Sequence, residues 1–173
     1  MSAFYDAYRR LNDWIEAAIV VLACAVAAVV VLLPFLGVTV RLLTGEGYSF
    51  LAETAPQLVP WMVFPMLGVL LRRDSHIAVD MLPHYLSGGA LTALRVLVLA
   101  ICVAATAAMG WFGAQTTAFF ARLGQLSTTE VEFPLWYLYV SYPIGLFLAA
   151  SFALESLIGE ALGRRVRRHS EAL

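Results

Sequence analysis

"TAPQLVPWMVFPMLGVLL", Thr54 to Leu71, is eighteen residues long, carries no charge and contains three prolines. Whether it crosses a membrane decides the fold. A transmembrane helix needs about 20 predominantly apolar residues to span roughly 30 Å of hydrocarbon, so this stretch is marginal in length. Pro56, Pro60 and Pro65 each remove a backbone donor and bend a helix. A re-entrant loop is the competing reading. Membrane helices nevertheless tolerate proline where neighbouring groups satisfy the freed carbonyls.

The surrounding chain favours a span. Of its 173 residues 61% are hydrophobic and only 13% are charged, against about 25% charged in a soluble domain. Too few polar side chains remain to cover a water-soluble core. Three more stretches lack charge, Ala17 to Val40, Val96 to Ala121 and Phe133 to Leu154, with 24, 26 and 22 residues. All eleven basic residues are arginine. Cytoplasmic loops are enriched in basic residues. With four spans, Arg9, Arg10, Arg72, Arg73, Arg95, Arg164, Arg165, Arg167 and Arg168 share one side, nine arginines against Arg41 and Arg122 on the other. Three spans would spoil that bias.

The expected fold is therefore an all-α integral membrane protein with both termini cytoplasmic. It forms a single membrane domain over residues 1–173, with four transmembrane helices at about 14–42, 55–72, 91–120 and 133–159 and a basic cytoplasmic tail at 160–173. The first span is too long for a signal-peptide core and is expected to stay in the mature protein. Cys24 and Cys102 fall inside spans, where they read as small apolar packing residues.

Two amphipathic interfacial helices are expected. In residues 3–16, Phe4, Tyr8, Leu11 and Ile15 recur at helical spacing, with Asp6, Arg9, Arg10 and Asp13 off that stripe. Between the second and third spans, "RRDSHIAVDMLPHYL" (Arg72 to Leu86) places Ile77, Met81, Leu82, Tyr85 and Leu86 on one face. Asp80 is a candidate cap, with Pro83 in the first turn and Gly88 and Gly89 at the end. Such a helix would lie along the inner membrane surface as an elbow before the third span. On the outer side, Gly45 and Gly47 flank Glu46 in a short link. Trp136, Tyr137, Tyr139 and Tyr142 crowd the start of the fourth span as an aromatic belt does.

The spans hold little chemistry. Ionisable groups inside a membrane are costly and mark ion or proton paths, and no charge lies at the middle of any span. Paired halves with broken helices, the pattern of many secondary transporters, are missing. His76, His84 and His169 lie in cytoplasmic segments, where they cannot hold a haem within the membrane. No metal-spaced Cys/His set, phosphate loop or nucleophile elbow appears. No catalytic, cofactor-binding or metal residue is assigned, and the chain is not expected to be an enzyme. The C-terminal "RRVRRH" fits the arginine bias and contact with anionic membrane lipids better than nucleic acid.

These residues resemble a known family, the small membrane (DctQ-like) subunit of tripartite ATP-independent periplasmic (TRAP) transporters. "LGVTVRLL" looks like that family's valine-rich segment closing on an arginine, here Arg41. "FLAETAPQLVPWMVFPMLGVLLRRDSHIAVDML" resembles its most recognisable block, with Glu53, Trp61, Gly68, Arg73, His76, Ile77, Val79 and Asp80. "FPLWYLYVSYPIG" resembles the entry to the last helix, with Pro134, Trp136, Tyr139, Pro143 and Gly145. Ser75 departs from the glycine often found before the histidine, which bears on local turn geometry.

The resemblance implies a non-catalytic scaffold in the bacterial inner membrane. It implies pairing with a large (M-type) membrane subunit that carries the substrate and sodium sites, and with a periplasmic binding protein that delivers an organic acid. No cofactor is implied for this chain, and sodium belongs to the large partner. The alternatives are an autonomous oligomeric small carrier, or a membrane anchor of another complex.

Arg41 and Glu53, near the outer face, are candidates to pair with each other or with partner chains. The opposing reading is solvated headgroup contact, which is favoured because exposed pairs contribute only about 0–1 kcal/mol. Arg73, His76 and Asp80 are expected to form a local polar turn that fixes the elbow. Glu155 follows Pro134 by about 21 residues, roughly 32 Å along a helix, and is expected as a snorkelling surface acid at the inner boundary.

Overall fold

The computed structural model describes residues 2–73 and 89–161, and the described chain is almost entirely helical. Five helices follow in order: α1 (Ser2–Thr44), α2 (Ser49–Arg72), α3 (Gly89–Leu123), α4 (Trp136–Tyr139) and α5 (Ser141–Ala161). Four stretches within them are long and apolar enough to cross a membrane: Tyr5–Thr44, Ser49–Arg72, Thr92–Leu123 and Trp136–Glu160. The segment that decides the fold is thus a continuous helix. Pro56, Pro60 and Pro65 all lie inside α2 without ending it, so the re-entrant alternative falls.

α1 runs unbroken for 43 residues, roughly 65 Å at the α-helical rise and about twice a hydrocarbon core. Residues 3–16 are helical and continue into the apolar stretch without a break. Their packed face follows the expected stripe only in part, for Ile15 packs on the core and the Tyr8 hydroxyl bonds Ser151. Tyr5, Asn12 and Ile19 are buried, whereas Leu11 is 57% exposed. The seven-residue spacing of the buried positions keeps one narrow seam facing a neighbour, and Leu11 lies beside it. The helix ends where Gly45, at φ 78°, donates its N–H to the Arg41 carbonyl at 3.0 Å. That left-handed cap suits glycine. Gly124, at φ 61°, follows the end of α3 in the same way.

The helices form a row. α1 packs on α2, α2 on α5, and α5 on α3. Within its apolar window α5 is 39% buried and α3 only 6%, which makes α5 central and α3 a flank. Lipid tails are as apolar as leucine, so close van der Waals packing, not hydrophobicity, selects such neighbours. Glycines provide it here. A Cβ on Gly68 would stand 2.9 Å from the Ala149 Cα and 2.8 Å from the Phe152 ring. A Cβ on Gly145 would collide with the backbone and Cβ of Phe64, and one on Gly110 would press on the Phe147 ring at 3.2 Å.

The apolar core, Ile19, Val69 and Phe152 with Ile15, Val20, Met66 and Leu148 around it, joins α1, α2 and α5. A second seam is aromatic. Phe120 stacks on Tyr139 at 4.2 Å, Tyr139 on Tyr142 at 5.8 Å, and Tyr142 packs on Phe64 at 4.0 Å. The belt residues Tyr139 and Tyr142 therefore also tie α3, α5 and α2 together. The expected helix between the second and third spans, with His76 and Asp80, and the basic tail lie outside the described residues.

Candidate functional site

Directly beside that core, three helices place charged side chains together. Arg72 is the last residue of α2. Its guanidinium reaches Asp13 Oδ1 at 2.6 Å, Glu16 Oε2 at 2.7 Å and Glu155 Oε1 at 2.9 Å, with only 9% of the side chain exposed. Asp13 and Glu16 come from α1 and Glu155 from α5. Arginine suits this position because its planar fork presents five donors in fixed directions. It also lies over the Phe152 ring, 5.5 Å from the centroid, a favourable place for a cation in a desolvated site.

The surrounding polar atoms complete the network. Arg73 donates to Glu16 Oε1 through Nε at 2.7 Å, and its Nη2 pairs with the same oxygen at 2.6 Å. Asn12, 1% exposed, donates to Glu155 Oε2 at 2.7 Å. Ser151 Oγ donates to Asn12 Oδ1 at 3.4 Å, and the Tyr8 hydroxyl donates to the Ser151 carbonyl at 2.9 Å. Among the described residues no buried side-chain nitrogen or oxygen lacks a partner. A buried charge left unpaired costs several kcal/mol, so mutual saturation is the condition for this cluster to exist. Chemically it is a clamp: it fixes α1, α2 and α5 at one level.

Glu155 therefore corrects the sequence expectation. It is 3% exposed, not a surface acid. The residue count placed it at the correct end of α5, but its burial depends on Asn12 and Arg72 arriving from other helices. Arg73 likewise pairs with α1. Arg95 adds a looser pair with Glu160 at 3.7 Å, between α3 and α5. Asn12, Asp13, Glu16 and Arg72 were not singled out as a site from sequence. The available signal was Asn12, which breaks the apolar seam of α1 between Tyr5 and Ile19.

The opposite end has its own clasp. Glu130 Oε2, from the loop after α3, accepts from the Ser49 hydroxyl at 2.7 Å and the Phe50 N–H at 2.9 Å. The Glu130 N–H donates in return to Glu53 Oε2 at 3.0 Å. A carboxylate at the first turn of α2 satisfies an orphan donor and complements the helix dipole. Glu53 thus holds a loop, and among the described residues no ion pair joins it to Arg41. The Arg41 stem instead lies along Gly47, where a Cβ would stand 3.4 Å from its Cδ.

The other family-motif residues are dispersed. Trp61 is half-buried in α2 and Gly68 sits at the α2–α5 contact. Pro134 bridges to Leu126 within the loop after α3, and Trp136 stacks on Tyr137 at 4.0 Å.

A family model described as "Tripartite ATP-independent periplasmic transporters, DctQ component" matches residues 30–163. No curated protein and no solved structure matches the chain. The matched stretch contains Arg72, Arg73 and Glu155 of the clamp and the whole Glu130 clasp, whereas Asn12, Asp13 and Glu16 precede it.

Proposed function

Because the chain belongs to the family of DctQ components of tripartite ATP-independent periplasmic transporters, we propose that it is the non-catalytic small subunit of such a transporter. In this reading it is a membrane-fixed scaffold beside a large M-type membrane subunit. That subunit binds sodium and an organic acid, and a periplasmic binding protein delivers the acid. The family match carries the proposal. The distribution of polar groups supports it: the buried charges of the clamp pair with one another near the helix ends, and the span centres carry none. A scaffold needs rigid packing surfaces, not ion ligands.

The arginine bias orients the scaffold, with both termini and the Arg72 clamp at the cytoplasmic face of the inner membrane and the Glu130 clasp at the periplasmic face. The flanking helices α1 and α3 leave large side chains uncovered, among them Val31, Phe35, Met109, Trp111 and Phe112, which gives a large partner room on either side of the row.

Tagged purification in mild detergent with mass spectrometry of the co-purifying chains tests the proposal. One large polytopic partner in about equal amount is the expected result. Recovery of this chain alone as a defined homo-oligomer would overturn it in favour of an autonomous carrier. Recovery with an enzyme would indicate a membrane anchor.

A further inference from the structure

The side of α3 turned away from α5 is uncovered, and it carries a glutamine and a tryptophan inside the span. We propose that this side docks a membrane-spanning helix of a different chain, one that presents an amide, hydroxyl or carboxyl side chain opposite Gln115. The inference rests on the subunit reading only in requiring that a second kind of chain is present.

Gly110 and Gly113 meet Phe147 and Pro143 and mark the side of α3 that packs on α5. Ala104, Ala108, Trp111 and Gln115 recur at helical spacing on the other side, and all are exposed. Arg95 and Arg122 bound the span and stand about 40 Å apart along the helix, against roughly 30 Å of hydrocarbon. Trp111 is thus near the middle, about 16 Å short of Arg122, and Gln115 is about 10 Å short of it. An amide without a hydrogen-bond partner is costly in hydrocarbon. The hydroxyls of Thr106, Thr116 and Thr117 donate to carbonyls of α3 itself, but Gln115 makes no hydrogen bond with any described residue. Helical side chains lean toward the helix N-terminus, so the Gln115 amide leans toward the membrane centre and away from the nearer end of α3. Gln57 behaves in the opposite way. It lies toward the N-terminal end of α2, one turn from Glu53, and the same lean carries it out toward the clasp.

Trp111 points to the same occupant independently. Tryptophan facing lipid belongs at the membrane–water boundary, where Trp136 begins the last span. Trp111 is 62% exposed at mid-span, away from any headgroup its N–H could reach. Inside a protein interface both its ring and its N–H find partners, and tryptophan is enriched there. Ala104 and Ala108 let a second backbone come close. The uncovered side of α1 is different: Val29, Val31, Leu32, Phe35 and Leu36 ask nothing that acyl chains do not supply. A second copy fits poorly, because a two-fold contact through this side sets each residue near its own counterpart. Trp111 would then meet Trp111 and hold the alanines apart. A different helix, small opposite Trp111 and polar opposite Gln115, satisfies both.

The test uses the full chain in the membranes of its native host. Photoreactive benzoylphenylalanine is placed at Ala108 of α3 or, for comparison, at Leu32 of α1, and linked peptides are read by tandem mass spectrometry. The expected link runs from Ala108 to a membrane-spanning segment of one different chain, with a hydrogen-bonding side chain within a turn of the linked residue. Gln115→Leu should lower retention of that chain in mild detergent about threefold, the ratio one interhelical hydrogen bond supports. Trp111→Ala should lower it about tenfold, as a central anchor does. Gln57→Leu should leave it as in the parent. If a variant does not fold, the Ala108 link decides. The proposal would be overturned by links from Leu32 at equal or greater yield, by a link between two copies, or by no protein adduct at Ala108. A linked segment without a hydrogen-bonding side chain, or full retention by either the Gln115 or the Trp111 variant, would overturn it too. A large polytopic partner linked through Leu32 counts against this docking side alone, and a link from Ala108 to a chain of another kind of complex counts against the transporter reading alone.

Discussion

Arg72 on α2 and Glu155 on α5 meet at 2.9 Å with 9% and 4% of their side chains exposed. Neither charge could stay buried without the other, and α1 adds to the pair: Asp13 and Glu16 accept from Arg72, and Asn12 donates to Glu155. The clamp is thus a three-helix device at one end of the helices, beside the apolar core.

Removing its hub should be costly. Arg72→Ala leaves Glu155 buried without a countercharge, and losing one partner of a buried pair costs about 3–5 kcal/mol. A large drop in the thermal midpoint in detergent is the expected observation. Arg72→Lys should recover only part, because one ammonium cannot reproduce the fork. Glu155→Gln should cost less than Arg72→Ala, since the amide oxygen still accepts from Asn12. An Arg72→Ala protein as stable as the parent would show that the clamp does not hold the helices.

The α2–α5 contact should not tolerate a larger residue at Gly68. The atoms that a Cβ would meet include the Ala149 backbone, which cannot rotate away. Gly68→Val should cost at least the 1–3 kcal/mol or so typical of overpacking and should appear as loss of monodisperse protein on size exclusion. Gly89→Ala, at a position with nothing within 4 Å, is the matched control and should behave as the parent.

At the other end, Glu130→Gln weakens the acceptor that serves Ser49 and the Phe50 N–H. Lost caps and helix-end charges cost about 0.5–2 kcal/mol in general, less where salt screens them. Hydrogen exchange at the Phe50 amide should quicken by up to about tenfold, one factor of ten per 1.4 kcal/mol, while amides deep in α5 stay protected. Unchanged exchange at Phe50 would argue against the clasp.

Helix order can be tested by cross-linking. A Cβ on Gly37 would lie 3.3 Å from the Leu51 Cβ, close to the separation a disulfide spans. With Cys24 and Cys102 replaced by serine, the Gly37→Cys/Leu51→Cys protein should cross-link within one chain under mild oxidation. A cysteine pair placed between the middles of α1 and α3, at opposite ends of the row, should not.

How much was legible depends on which residues carry the information. The four apolar helices, the glycine turn after Thr44 and the family were all readable along the chain. So was the continuity of α2 despite its prolines, because charge on either side of Thr54–Leu71 demanded a crossing. Counting residues put Glu155 toward the C-terminal end of the last helix, where it lies. Its burial was missed because Asn12, Arg72 and Glu155 stand far apart in sequence and converge only when three helices pack. Glu53 was considered with Arg41, its neighbour across the link, whereas it accepts from Glu130, seventy-seven residues away.

The sequence by itself determined how many times this chain traverses apolar surroundings, because each uncharged stretch is driven there by its own desolvation, a local and additive quantity. Only the tertiary structure decided that the helices stand in the row α1, α2, α5, α3 and that an arginine and three carboxylates converge on one cluster. Among helices equally apolar to lipid, neighbours are chosen by shape and polar pairing. Gly68 against Ala149, and Arg72 against Glu155, acquire meaning only once the two surfaces meet.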